Sequence, residues 1–192
     1  SGKFIATTFR NPRIADELEK LLKVRDGLAL GICNGFQALV KLGLVPYGEI
    51  RPLVSESPTL TYNNIARHVS RLVNIRVASV KSPWLSACSV GDVFSVPVSH
   101  GEGKFVAPAD ALESLRKNGQ VATQYCDLSG APTMQYPFNP NGSVWAIEGI
   151  TSPDGRVLGK MGHTERTGEN LYKNCPPVLD MKLFESGVRY FK

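Results

Sequence analysis

The chain contains 192 residues, a length that corresponds to one domain of ordinary size. Hydrophobic residues make up 42% and charged residues 20%, so the composition is globular and excludes a disordered chain. The 22 Lys and Arg residues only slightly exceed the 17 Asp and Glu residues. This balance favours anionic partners weakly, and no aromatic stacking platform accompanies the basic residues, so nucleic acid is not an expected partner. No apolar run approaches the roughly 20 residues of a membrane helix, and we expect a soluble, cytoplasmic protein with no membrane partner.

The first part of the chain predicts a helix, a strand and a second helix. Asn11 precedes a proline as an N-cap does, and apolar residues then recur at helical spacing over 12–26. Residues 28–32 form an apolar run bounded by glycine and too short for a helix, which predicts a strand buried on both faces. Helical spacing resumes over 36–42. Cys33 therefore lies where a buried strand turns into a helix.

The rest of the chain mixes strands and helices. β-Branched residues and turn signals predict strands over 69–80, 93–98, 121–126, 144–150 and 156–161, and a short helix over 110–117. Residues 99–103 and the proline- and asparagine-rich stretch 132–142 are predicted loops, and one helix is expected near the C-terminus. The expected fold is α/β, with a mixed, mainly parallel sheet flanked by helices.

The position of the predicted buried strand bears on domain organisation. A strand buried on both faces needs neighbouring strands and covering helices, yet only 32 residues precede Cys33. We therefore expect that the first one or two βα units are absent from this chain. Residues 1–192 would then be a single domain that forms the C-terminal part of a longer protein, in agreement with the missing initiator methionine.

Residues 31–35 read Gly-Ile-Cys-Asn-Gly, the pattern of a nucleophile at a sharp strand-to-helix turn. We expect both glycines to face closely packed backbone, where a side chain would clash. The amide end of the following helix is expected to lower the pKa of Cys33, and the backbone N–H of Asn34 is the expected oxyanion donor. The remaining cysteines lack this context and are predicted to be structural thiols: Cys88, Cys126 and Cys175.

A cysteine nucleophile needs a base and a group that orients the base. Two His-x-Glu pairs could supply them, namely His100 with Glu102 and His163 with Glu165. The spacing favours His163, which follows a predicted strand, but it leaves both pairs open. The third histidine, His68, is expected to be a surface or packing residue.

Four segments in order, 31–37, 98–103, 139–143 and 162–166, resemble the signatures of class I, triad-type glutamine amidotransferases. More narrowly, they resemble the glutaminase domains of the phosphoribosylformylglycinamidine synthase family. The resemblance extends from Phe4 to Phe191 and implies a flavodoxin-like fold. The commoner form of the last signature has prolines at 162 and 164, so the loop is expected to be less rigid here.

The resemblance implies roles for particular residues. Cys33 would attack the side-chain amide of glutamine, His163 would move the proton, and Glu165 would hold the imidazole. The oxyanion donor would be the backbone of Asn34. The substrate-binding residues would be Gln37, Ser99, His100 and Asn141, the last near the mouth of the pocket.

The resemblance also implies partners. Ammonia would pass to a synthetase domain or subunit that uses ATP and Mg²⁺ to convert formylglycinamide ribonucleotide to the amidine in purine biosynthesis. This domain itself would hold no cofactor and no metal. In the family, preceding βα units supply a second oxyanion donor, whose loss typically costs about 10² to 10³ in turnover. We therefore expect these 192 residues alone to be weakly active or inactive.

Two other functions are compatible with the same residues. The chain could be a catalytically idle docking or structural module of such a synthetase. It could also be another hydrolase with a cysteine nucleophile, which would turn over peptides rather than free glutamine. Covalent labelling of Cys33 by a glutamine analogue distinguishes these possibilities.

Overall fold

The computed structural model describes residues 2–168, 171–172 and 180–192. Its helices are α1 (Gly2–Phe9), α2 (Pro12–Lys23), α3 (Asn34–Leu42), the single turn α4 (Leu44–Tyr47), α5 (Ala109–Lys117) and α6 (Leu183–Tyr190). Its strands are β1 (Ala29–Ile32), β2 (Thr59–Tyr62), β3 (Val69–Val77), β4 (Val93–His100), β5 (Glu102–Val106), β6 (Val121–Tyr125), β7 (Ile147–Thr151) and β8 (Val157–Lys160). None of the described helices has the length and apolar character needed to cross a membrane.

The helix ends follow the local sequence signals. The side-chain oxygen of Asn11 accepts a hydrogen bond of 3.1 Å from the Arg13 N–H, which caps α2 at its predicted start. Helix α3 ends at Gly43, whose φ of 89° is a left-handed conformation that glycine adopts without strain. The predicted helices near 12–26, 36–42 and 110–117 are thus confirmed, as is the C-terminal helix. Helix α1 was not predicted; it packs on α3 and buries Ala6 in the core.

Six strands form one sheet in the order β1-β8-β7-β6-β3-β4. The mixed α/β architecture is confirmed, but the expectation of a mainly parallel sheet is wrong: among the described pairings of this sheet, β1 with β8 is parallel and the other four are antiparallel. The reason lies in the connections. β3 and β4, like β7 and β8, are joined without a helical crossover, and such connections return the chain in the opposite direction.

Strand β1 lies at the edge of the sheet rather than inside it. In the described structure it pairs with β8 alone, and of its four residues Gly31 is buried while the others are only partly covered. The expectation of a strand buried on both faces is therefore wrong for this structure. Whether further βα units precede the chain stays a prediction.

The sheet curls so that the segment after β8 reaches the edge strand β4. The N–H of His163, three residues after β8, donates to the carbonyl of Pro97 in β4, at 2.8 Å. A second, two-stranded sheet of β2 and β5 was not predicted, since 99–103 was expected to be a loop. Cys126 is buried, as expected of a structural thiol, and Cys88 is partly buried; Cys175 lies outside the described residues.

Candidate active site

Cys33 occupies the turn between β1 and α3. Its backbone N–H donates to the carbonyl of Lys160 at 2.9 Å and so continues the parallel ladder beyond the strand. Its φ of 54° and ψ of −104° are strained for a residue with a side chain. Strain of this kind persists only where the surroundings over-determine it, and it is concentrated at functional sites.

The two flanking glycines differ in their surroundings. A Cβ at Gly31 would lie 2.5 Å from Leu39 Cδ1 and 2.7 and 2.8 Å from the carbonyl carbon and oxygen of Gly35, so the expected clash is confirmed. A Cβ at Gly35 would meet nothing within 4 Å, and the expectation is wrong there. The reason is that Gly35 borders an apolar cavity of about 170 Å³ instead of packed backbone.

The Cys33 thiol is buried, and this burial raises its pKa above the ordinary value. The Asn34 backbone N–H and the charge of Arg166 lower the pKa but do not overcome burial, while the Glu165 charge raises it further. We expected the end of the helix to lower the thiol pKa. This expectation is wrong, since the pKa is raised when all contributions are combined. A thiol of this kind needs a base to become a nucleophile.

His163 and Glu165 form the pair that the i, i+2 spacing suggested. The imidazole Nδ1 lies 2.6 Å from Glu165 Oε1. The other ring nitrogen, Nε2, is buried and has no hydrogen-bond partner among the described residues. A carboxylate on Nδ1 favours the tautomer that carries its proton there, which leaves Nε2 free to accept a proton.

The alternative pair, His100 with Glu102, does not form. His100 Nδ1 lies 3.1 Å from the side-chain oxygen of Asn63, whose amide nitrogen donates to the carbonyls of His100 and Arg67. Burial lowers the pKa of His100 to about 4, so its imidazole is neutral near pH 7. The backbone carbonyl of Glu102 accepts a hydrogen bond from the Gln37 side chain at 2.5 Å.

The topology brings Cys33 and His163 to one end of the sheet. They follow β1 and β8, which are parallel neighbours, and the carboxyl ends of parallel strands form one edge. The same segment of β4 contacts both residues: the Cys33 S–H donates to the Ser99 carbonyl at 3.8 Å, and the Pro97 carbonyl accepts from His163 N–H. The arrangement can therefore support a cysteine nucleophile with a histidine base.

A cavity of about 470 Å³ opens beside the thiol. Five of the candidate site residues from the sequence line it together with Cys33, namely Asn34, Gln37, Ser99, His100 and Glu102. Asn141 does not, contrary to its expected place at the mouth. It is fully buried and its side-chain N–H groups donate to the Gly103 carbonyl at 2.8 Å and to the Tyr125 hydroxyl at 3.1 Å, so it supports the interior behind the pocket.

Sequence reasoning missed part of the cavity wall. His68, expected to be a surface or packing residue, lines the cavity, and its Nε2 lies 3.0 Å from the Ser99 hydroxyl. Tyr62 and Arg67 line it as well. No spacing signal marks these residues, because contacts with distant residues bring this segment to the site, among them the pairing of Val69 with His100 and of Tyr62 with Glu102. No group of three or more His, Cys, Asp or Glu side chains in the described part of the chain is placed to hold a metal ion.

The chain matches known proteins along most of its length. The family model for the CobB/CobQ-like glutamine amidotransferase domain matches residues 1–191. The phosphoribosylformylglycinamidine synthase subunit PurQ of Symbiobacterium thermophilum is 42% identical over 166 residues, which cover 86% of this chain and 64% of that protein. The subunit of the same name from Aquifex aeolicus is 37% identical over 142 residues, covering 74% of this chain and 57% of that protein.

A solved structure matches as well. The structure of PurLQS from Thermotoga maritima aligns with a TM-score of 0.69 and 27% identity, covering 97% of this chain and 72% of the matched chain. The chain spans less than two thirds of the length of the two curated relatives above.

Proposed function

Because the chain belongs to the CobB/CobQ-like glutamine amidotransferase domain family, we propose that it hydrolyses glutamine through Cys33, His163 and Glu165. The observation that carries this proposal is the placement of a strained cysteine and a Glu-paired histidine, with Nε2 unpartnered among the described residues, at one end of the sheet. We further propose that the chain is the glutaminase portion of a phosphoribosylformylglycinamidine synthase. This rests on the similarity to the PurQ subunits and to PurLQS.

The reaction begins with glutamine in the cavity beside Cys33. His163 Nε2 accepts the thiol proton while the sulfur attacks the side-chain carbonyl carbon of glutamine. The tetrahedral oxyanion is stabilised by the backbone N–H of Asn34, the first residue of α3. The protonated His163, held by Glu165, gives its proton to the leaving nitrogen, the carbon–nitrogen bond breaks, and ammonia departs to leave a thioester on Cys33.

The second half regenerates the thiol. Water gives a proton to His163 Nε2 as its oxygen attacks the thioester carbonyl. The carbon–sulfur bond then breaks, glutamate leaves, and Cys33 regains its proton. Ammonia passes to the synthetase portion, where ATP and Mg²⁺ drive amidination of formylglycinamide ribonucleotide. The chain alone would hydrolyse glutamine weakly if a second oxyanion donor lies outside it.

A covalent glutamine analogue tests the proposal. The complete gene product is treated with a diazoketone analogue of glutamine at pH 8 and digested for mass spectrometry. We expect the adduct on Cys33, abolished by Cys33→Ala and retained in Cys88→Ala. Cys88 is a suitable control, since burial raises the pKa of this partly accessible thiol to about 11.

Three results would contradict the proposal in different ways. Absence of any adduct would support a catalytically idle module. An adduct on another cysteine would refute the assigned nucleophile. Turnover of peptides without release of glutamate from glutamine would indicate a different cysteine hydrolase.

A further inference from the structure

A buried ion pair lies beneath the loop that carries His163. Lys160 Nζ is 3.2 Å from Glu148 Oε1, and both side chains are completely buried. Glu148 also accepts a hydrogen bond from the Thr123 hydroxyl. Burial of two charges carries a desolvation cost, and apolar residues of similar volume are often as stabilising. Stability alone is therefore a weak explanation for this pair.

Both charges also hold the backbone of Gly162, the residue before His163. The Gly162 N–H donates to Glu148 Oε1 at 2.5 Å, and the Gly162 carbonyl accepts from Lys160 Nζ at 2.7 Å. Gly162 has no side chain that could anchor it, and a Cβ there would lie 2.6 Å from Val96 Cγ2 and 3.0 Å from Glu148 Oε1. The ion pair thus restrains a glycine that was expected to make this loop less rigid.

The same two residues connect this loop to the nucleophile. The Lys160 carbonyl accepts the Cys33 N–H at 2.9 Å, while its side chain holds the residue before His163. The Glu148 carbonyl accepts the N–H of Met161 at 3.1 Å. One strand end therefore sets the position of the sulfur and of the imidazole relative to each other.

We propose that Glu148 and Lys160 are positioning residues, which hold His163 where its Nε2 can accept the proton of the Cys33 thiol. This inference rests on the proposed glutaminase function and adds two residues that do not touch the substrate cavity. It explains the ion pair by geometry: two opposite charges can hold the N–H and the C=O of one peptide segment at once. A misplacement of about 1 Å in a reacting group can cost about 10²-fold in rate.

The test compares four forms of the complete gene product: the wild type, Lys160→Met, the double variant Glu148→Gln with Lys160→Met, and the control Gln120→Leu. Lys160→Met leaves a buried carboxylate without its partner and is expected to lose stability strongly. The double variant has no uncompensated charge, so its melting temperature is expected to recover toward that of the wild type. Glutamate release gives kcat and KM for each form.

Gln120→Leu is the matched control, because it also removes a buried polar side chain that holds backbone groups in place. Gln120 is buried, and its side-chain N–H groups donate to the carbonyls of Pro46 and Thr151, both at 2.8 Å. Gln120 does not line the cavity beside Cys33. Its variant is expected to lose stability without a selective fall in kcat.

We expect the double variant to be folded, to bind glutamine with a KM within threefold of the wild type, and to lose at least tenfold in kcat. A folded double variant with wild-type kcat would overturn the positioning role. Equal loss of kcat in the double variant and in Gln120→Leu at equal melting temperature would overturn it as well, since the effect would then be one of stability. An inactive wild type would instead refute the proposed function, and the inference would fall with it.

Discussion

The two glycines that flank Cys33 should respond in opposite ways to the same substitution. In Gly31→Ala the new methyl would lie 2.7 and 2.8 Å from the carbonyl group of Gly35, which belongs to the first turn of α3 and cannot rotate away as a side chain could. Overpacking of this kind costs about 1–3 kcal/mol. For a chain of this size each kcal/mol lowers the melting temperature by roughly 2–4 °C, so we expect a fall of about 2–12 °C.

Gly35→Ala is the matched control. The methyl meets no atom within 4 Å, and Gly35 lies inside α3, where alanine is favoured over glycine by about 0.5–1 kcal/mol. We expect an unchanged or slightly higher melting temperature.

Scanning calorimetry of the two variants beside the wild type measures the difference, and glutamate release shows whether Gly31→Ala also displaces Cys33. The reasoning is wrong if Gly31→Ala melts within 1 °C of the wild type, or if Gly35→Ala is the more damaging of the two.

Two further expectations concern the histidines. Glu165→Gln removes the anion that holds His163 Nδ1 and is expected to lower kcat for glutamate release by about 10²–10⁴-fold, with Glu165→Asp in between; a loss below threefold would show that the carboxylate is dispensable. Because burial lowers the pKa of His100 from 6.5 to about 4, the unfolded chain takes up a proton in this range that the folded chain does not. Up to about 3 kcal/mol of stability is therefore lost as the pH falls from about 6.5 to 4. Urea unfolding at pH 7 and 4.5 should show a smaller loss for His100→Gln than for the wild type, and equal losses would contradict this account.

Local signals in the sequence predicted the parts of the site that depend on neighbours in the chain. The Gly-Ile-Cys-Asn-Gly turn lies between β1 and α3 as its pattern indicates. The i, i+2 spacing of His163 and Glu165 allows the two side chains to pair, since both residues lie on one short segment. The caps of α2 and α3 follow from Asn11 and Gly43 for the same reason.

Other features depended on contacts between distant segments. The same i, i+2 spacing in His100 and Glu102 produces no pair, because Nδ1 of His100 contacts the Asn63 side chain instead. The pKa of Cys33 is raised because the thiol is buried. The residues next to Cys33 in the sequence do not reveal this burial, since distant segments produce it.

What the sequence by itself determined is the local chemistry: a cysteine at a strand-to-helix turn, two candidate His-x-Glu pairs, and helices with their caps. Only the tertiary structure decided the antiparallel pairings, the place of His68 in the cavity wall and the contact of Glu148 and Lys160 with Gly162. The physical reason is range. Backbone caps form within a few residues of the chain, whereas strand register, burial and ion pairing depend on residues that lie on different segments of the chain, such as Glu148 with Lys160 or His68 with Ser99.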